Sequence, residues 1–189
     1  MKITAKELTP ELWKEVEILF GSNGACGGCW CQSWKIKKGE KWDDIKGATA
    51  KRRFKKEILD KTADGIIAFE GKKPVGWCSY GPRTSYPRLE RARTLKCDDA
   101  EKVWSITCFF VTKEYRQKGV ASILLKGALN GIKKRGGRIA EGYPSKPDSA
   151  GKYIDAFAWT GTLSLFEKGG FNVAGNPGGS KVRVRKTVK

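Results

Sequence analysis

Residues 104–121 read Trp104-Ser-Ile-Thr-Cys-Phe-Phe-Val111-Thr-Lys-Glu-Tyr-Arg116-Gln-Lys-Gly119-Val-Ala121. The first part is the most strand-like run in the chain, and it predicts a buried strand over 103–111. A short basic loop follows, and Gly119 and Ala121 stand where a new apolar pattern begins. From Gly119 to Arg135 the residues Val120, Ile123, Leu124, Ala128 and Ile132 recur with the 3.6 period of a helix, which Gly136-Gly137 ends. The first amides of that helix lack carbonyl partners, and its dipole is positive at the same end. Small residues there admit a ligand close to the backbone, and Arg116 and Lys118 add charge. The pattern is therefore an anion site suited to a pyrophosphate, built on the amides of Gln117, Lys118, Gly119, Val120, Ala121 and Ser122. Neither the P-loop pattern nor the Rossmann fingerprint is present.

Outward from this stretch, strands and helices mix. Residues 2–8 alternate as a strand, and Thr9-Pro10-Glu11 reads as an N-cap, a proline at the first helical position and an acidic first turn. The helix that follows carries Leu12, Val16, Leu19 and Phe20 and stops near Gly21. Residues 22–47 form a long Gly/Cys/Trp loop, and 48–59 a basic helix. Strands are expected at 65–70 and 74–80, joined by Gly71-Lys72-Lys73. A polar stretch, 81–102, leads to the central strand. A strand at 138–143, a helix at 162–168 and a strand at 171–174 come later. Residues 181–189 alternate basic and apolar, as an edge strand blunted by charge does. One α+β domain spanning 1–189 is the expectation.

Composition narrows the chemistry. The chain has 189 residues, 38 Lys+Arg against 20 Asp+Glu, a formal charge of +18 and no histidine. Triads and metal sites that need an imidazole are excluded. The basic residues are spread along the whole chain, which favours a solvated surface and disfavours nucleic acid as a partner. No apolar run reaches membrane length and the N-terminus lacks an apolar signal core, so a cytoplasmic protein without a membrane partner is expected. A homodimer is compatible with the sequence. Cys26, Cys29 and Cys31 form a C-x-x-C-x-C run that supplies three thiolates at most, without a second C-x-x-C. Packing in a Trp-rich loop is the favoured reading, and no metal centre is expected.

Arg116, Gly119 and Ala121 between strand and helix match [Gln/Arg]-x-x-Gly-x-[Gly/Ala], and here the chain resembles the GNAT superfamily of acyl-CoA-dependent N-acyltransferases. The element order over most of the chain and the run Leu165-Phe-Glu-Lys-Gly-Gly-Phe171 are similar to that family too. The resemblance implies a mixed, mostly antiparallel sheet flanked by helices and splayed between the central strand and the next. It implies acetyl-CoA as acyl donor, its pantetheine arm along Cys108, Phe109, Phe110 and Val111, and an N-acetyltransferase acting on a small-molecule or peptide amine by direct attack. A backbone N–H near Phe109 or Phe110 is the implied oxyanion donor. The family's tyrosine acid appears in this sequence as Phe166, and the position of a strand glutamate base as Ser105. Glu141, Tyr143, Tyr153 and Ser105 are the candidates to replace them. Trp30 and Trp34, with Trp42 beside them, are the candidates to wall the acceptor site. A CoA-binding protein without catalysis is the alternative.

Overall fold

The computed structural model describes residues 2–146, 159–175 and 179–189. In chain order the elements are β1 (Ile3–Glu7), α1 (Trp13–Phe20), α2 (Trp42–Ile45), α3 (Ala48–Leu59), β2 (Asp64–Glu70) and β3 (Lys73–Pro82). They continue with α4 (Pro87–Arg91), β4 (Val103–Val111), α5 (Val120–Lys134), β5 (Ile139–Gly142), α6 (Leu163–Lys168), β6 (Asn172–Val173) and β7 (Val184–Thr187). The strands form one seven-stranded sheet in the order β1-β2-β3-β4-β5-β7-β6. Every neighbouring pair is antiparallel except β4 and β5, which the α5 crossover makes parallel. This is the expected α+β architecture.

The sheet is buried on both faces, which is why β2 reads as a nearly continuous apolar run. Ile66 and Ala68 pack with Val120, Leu124, Leu125, Ala128 and Ile132 of α5. Their neighbours Ile67 and Phe69 join Val16, Phe20, Phe54 and Ile58 of α1 and α3 on the opposite face. Each such side chain contributes about 1.5–3 kcal/mol by leaving water. The approach of α5 to β3 depends on glycine: a Cβ at Gly131 would lie 2.0 Å from the Tyr80 hydroxyl.

Two irregularities in β4 position the site. Ser79 of β3 faces Cys108 while Tyr80 faces Ile106, so Thr107 is an extra residue, a bulge. On the other side, β5 pairs only with Val103–Ile106. Beyond Ile106 the two strands part, and residues 107–111 of β4 have no partner in β5. The splay expected from the resemblance is therefore present.

Several expectations are corrected. Thr9 is extended but its side chain caps nothing, and a 3-10 turn over Pro10–Leu12 leads into α1. Residues 22–47 are a series of turns with α2 at their end, and they bury Trp30, Trp34, Ile36 and Ile45. The polar stretch 81–102 folds into α4 and short 3-10 turns, burying Leu89 and Leu95 with Trp34, Tyr86 and Tyr143. Residues 181–189 do not form the sheet edge, because β7 lies between β5 and β6. Val182, Val184 and Val188 face the core beneath α5, and the alternating Arg183 and Arg185 reach acidic partners on the opposite side.

Candidate active site

Strand β4 supplies an open backbone edge. The Thr112 amide donates to the Val75 carbonyl of β3 at 3.0 Å. Period-2 alternation then turns the amides of Phe110 and Cys108 toward β3 and those of Phe109 and Val111 toward the gap. The Arg116 Nε reaches the Val111 carbonyl at 3.2 Å, and the Trp34 Nε1 reaches the Thr107 carbonyl at 3.2 Å.

The gap leads to the turn before α5. Gln117 and Gly119 adopt left-handed backbone, with φ of 58° and 78°. The amides of Ser122 and Ile123 both donate to the Gly119 carbonyl, at 3.1 and 3.2 Å. The Ser122 amide is thus engaged inside the helix, and the amides of 117–121 stand ahead of it at the positive end of the dipole. A Cβ at Gly119 would project into open space. With Arg116 and Lys118 alongside, these groups fit a diphosphate in donor type and charge.

Ser105, Glu141 and Tyr143 are brought together, in a closed ion cluster. The parallel register sets Ser105 against Glu141, and Tyr143 follows on the same face. All three are fully buried. The Tyr143 hydroxyl lies 2.6 Å from Ser105 Oγ and 3.2 Å from Glu141 Oε2, and it accepts from Arg83 at 2.7 Å. Arg83 also donates to Glu141 at 3.1 Å. The other carboxylate oxygen accepts from Arg183 at 2.7 Å and from Arg185 at 2.6 and 2.9 Å. Arg185 in turn holds Asp99 at 2.8 and 2.9 Å, and this bond lowers the Asp99 pKa. Burial, with the Glu141 charge beside it, pushes the Tyr143 phenol far above its ordinary range. Glu141 is therefore the counter-ion of three guanidinium groups that tie the 81–102 segment and β7 to β5.

The remaining candidates separate. Tyr153 lies outside the described residues. Phe166 is a core ring, edge-on to Phe109 at 5.9 Å and to Phe171 at 5.0 Å. Gly142 is required beside it, since a Cβ there would lie 2.1 Å from the Phe166 ring. Phe110 packs against Phe20, 6.0 Å away. Trp30 belongs to the core of α1 and α3, against Trp13 and Phe20 at 5.9 and 5.4 Å, away from Trp34. Trp42 packs against the same group. Trp34 borders the gap, with Tyr143 and Trp159 at 6.0 and 5.8 Å. Cys31 accepts the Trp77 indole N–H at 2.9 Å, Cys26 is exposed, and the described residues hold no cluster arranged to ligate a metal.

Two residues here are unmarked in the sequence. Arg83 is one of four arginines in the polar stretch 81–102, and Lys181 reads as one more charge on a basic strand. Lys181 Nζ donates to Thr160 Oγ1 at 2.8 Å and to Ser145 Oγ at 3.3 Å, and it lies 5.0 Å from the Trp159 ring centre. Burial pushes its pKa down to about 8; the nearby Cys108 works in the opposite direction, and Arg88 adds to the lowering. No short sequence signal distinguishes either residue from its many basic neighbours.

The model of the acetyltransferase (GNAT) family matches residues 30–143. Among solved structures, the PaiA N-acetyltransferase from Thermoplasma acidophilum, in complex with coenzyme A, is 18% identical, with 99% of each chain covered and a TM-score of 0.58. An N-acetyltransferase from Staphylococcus aureus Mu50 is 13% identical, with both chains covered in full and a TM-score of 0.59. YncA from Salmonella typhimurium, with its cofactor acetyl-CoA, is 12% identical over 99% of this chain and 94% of that one, with a TM-score of 0.54. No curated protein matches the chain in sequence.

Proposed function

The chain belongs to the acetyltransferase (GNAT) family and is an acyltransferase; from this premise we propose that it transfers an acetyl group from acetyl-CoA to the amine of a small molecule or peptide by direct attack. The observation that carries the reading is the edge of β4 that β5 leaves beyond Ile106, running into the left-handed turn at Gly119. The amides of 117–121, with Arg116 and Lys118, would hold the diphosphate. The gap-facing edge at Phe109 and Val111 suits an extended, amide-rich arm. When bound, acetyl-CoA supplies a thioester carbonyl.

At that carbonyl the amine nitrogen forms a C–N bond as the C–S bond breaks, giving an amide and CoA. The Phe109 amide is the donor placed for the charge that develops on oxygen. The ammonium proton leaves to water, and the thiolate, with an ordinary pKa of about 8.5, departs and takes a proton from solvent. Glu141 accepts from Arg83, Arg183, Arg185 and Tyr143, which suits holding β5 in place more than accepting a substrate proton. Tyr143 and Ser105 share that positioning role. This revises the expectation that they move protons.

Acetyl-CoA at millimolar concentration should raise the melting temperature, and an amine panel should release CoA thiol. Gly119→Glu, which sets a carboxylate against the anion site, should weaken acetyl-CoA at least tenfold, about 1.4 kcal/mol. Absence of any thermal shift with the native chain would overturn the reading. A CoA-binding protein without turnover is the second reading, favoured by Phe166 and Ser105 where family members keep proton-transfer groups. Binding without CoA release across the panel would decide for it.

A further inference from the structure

We propose that the chamber between α4 and Lys181 is the acceptor subsite, and that it takes a small amine that also carries a carboxylate. The proposal rests on the acyltransferase reading above and names its substrate class. The chamber has a volume of about 350 Å³, and its wall includes Trp34, Arg88, Arg91, Leu95, Ser180 and Lys181. That space accommodates a molecule of amino-acid size and is at the small end for a ligand pocket.

Its charge is one-sided. Among the described residues the lining includes three cations and no carboxylate. Neutral acceptors hold all three. Arg88 donates to the Ser33 carbonyl at 3.3 Å and Oγ at 3.2 Å, with its guanidinium 5.9 Å from the Trp34 ring centre. Arg91 donates to the Ile36 carbonyl. Among the described residues Lys181 donates to the hydroxyls of Thr160 and Ser145. Some basic groups elsewhere in the fold are paired with acids, as in Arg53 with Glu40, Arg135 with Asp64 and Arg185 with Asp99. Among the described residues the chamber's cations have no such counter-ion, and Arg88 and Lys181 oppose each other's charge. A bound carboxylate would relieve that repulsion, and the guanidinium forks would orient it.

The chamber also adjoins the reacting edge. Trp34 is the shared wall, since it lines the chamber while its indole N–H holds the Thr107 carbonyl where β4 leaves β5. Lys181 stands within electrostatic range of the Cys108 thiol on the same strand. An acceptor whose carboxylate lies among Arg88, Arg91 and Lys181 can thus extend its amine past Trp34 toward the gap. The cationic lining adds a carboxylate-binding element beside Trp34, one of the two tryptophans expected to wall the acceptor site.

The test compares matched amines that differ only in the carboxylate, phenylalanine with phenethylamine and leucine with 3-methylbutylamine. CoA-thiol release is read for each, and calorimetry reads direct binding to the CoA-loaded protein. The carboxylate-bearing member should show kcat/KM at least tenfold higher and should be the one that binds, as a charge-assisted contact predicts. Arg88→Gln and Lys181→Gln should each cut that ratio roughly tenfold, whereas Lys14→Gln, an equal charge loss on exposed α1 surface, should leave it unchanged. Equal or better turnover of the neutral members would overturn the carboxylate subsite and leave the acetyltransferase reading standing. So would a preference for peptides with an amidated C-terminus. Failure of every amine to release CoA would overturn the acetyl-transfer reading itself, and the acceptor assignment with it.

Discussion

The indole of Trp34, on the loop between α1 and α3, donates to the backbone carbonyl of Thr107 at 3.2 Å, at the point where β4 parts from β5. A side chain from a distant loop thus satisfies a polar group that strand pairing leaves open. The bond is buried, so the carbonyl has no water to fall back on.

Trp34→Phe keeps an aromatic ring but removes that donor. Leaving a buried acceptor unpaired costs about 1–3 kcal/mol, measurable as a lower urea midpoint. The amine KM should rise while acetyl-CoA binding, which we propose rests on the turn at Gly119, stays intact. An unchanged midpoint would show that the bond contributes nothing.

Glu141→Gln tests counter-ion against base. Removing the carboxylate leaves Arg83, Arg183 and Arg185 without their shared partner. Breaking a buried pair in this way costs about 3–5 kcal/mol. Unfolding curves should show that loss, and the acid limb of the pH–kcat/KM profile of the folded variant should keep its position. Loss of the limb with stability unchanged would restore Glu141 as the base.

Lys181 makes stability depend on pH. Its folded pKa of about 8 lies below its ordinary value of 10.5, because burial and Arg88 outweigh the Cys108 thiol. Between those values the unfolded chain binds the extra proton, so stability rises with pH across that window and the cost is fully present below it. Lys181→Met should stabilise the chain at pH 7 by about 2 kcal/mol after allowance for solvent at the chamber mouth. The gain should fade as pH rises from about 8 toward 10.5. A gain independent of pH in thermal melts would show that packing, and not charge, is responsible.

The cysteines should differ in reactivity. Cys26 is exposed, whereas burial pushes the Cys29 thiol up to about 12 and raises Cys78, and a hydrogen bond with Cys31, together with burial, raises Cys108. Thiolate is the reactive form, so a disulfide reagent at pH 8 should label Cys26 first and the buried thiols only on unfolding. Mass spectrometry of tryptic peptides would locate the label. Rapid modification of Cys108 in the native chain would contradict its burial.

Local chemistry made much of this protein legible in its sequence. The strand 103–111, the helix after Gly119 and the hairpin around Gly71 follow from periodicity and from residues that suit particular backbone angles. Gly119 is left-handed, as the strand-to-helix turn requires. The same locality explains the errors. Basic and apolar alternation in 181–189 specified a strand but not its neighbours, and β7 is interior because Arg183 and Arg185 find Glu141 and Asp99. Trp30 and Trp34 look equivalent four residues apart, yet left-handed residues at 30 and 31 help send them to different cores.

By itself, then, the sequence determined the α+β class, the order of its elements and the tight turn at Gly119, because each depends on contacts among residues close in the chain. Only the tertiary structure decided that Glu141 is a counter-ion, that Phe166 is a core ring, and that Arg88, Arg91 and Lys181 meet around Trp34. Arg83 and Glu141 are 58 residues apart. Whether a carboxylate takes up protons or neutralises guanidinium groups depends on which charges the fold brings within hydrogen-bonding distance, and spacing along the chain carries no record of that.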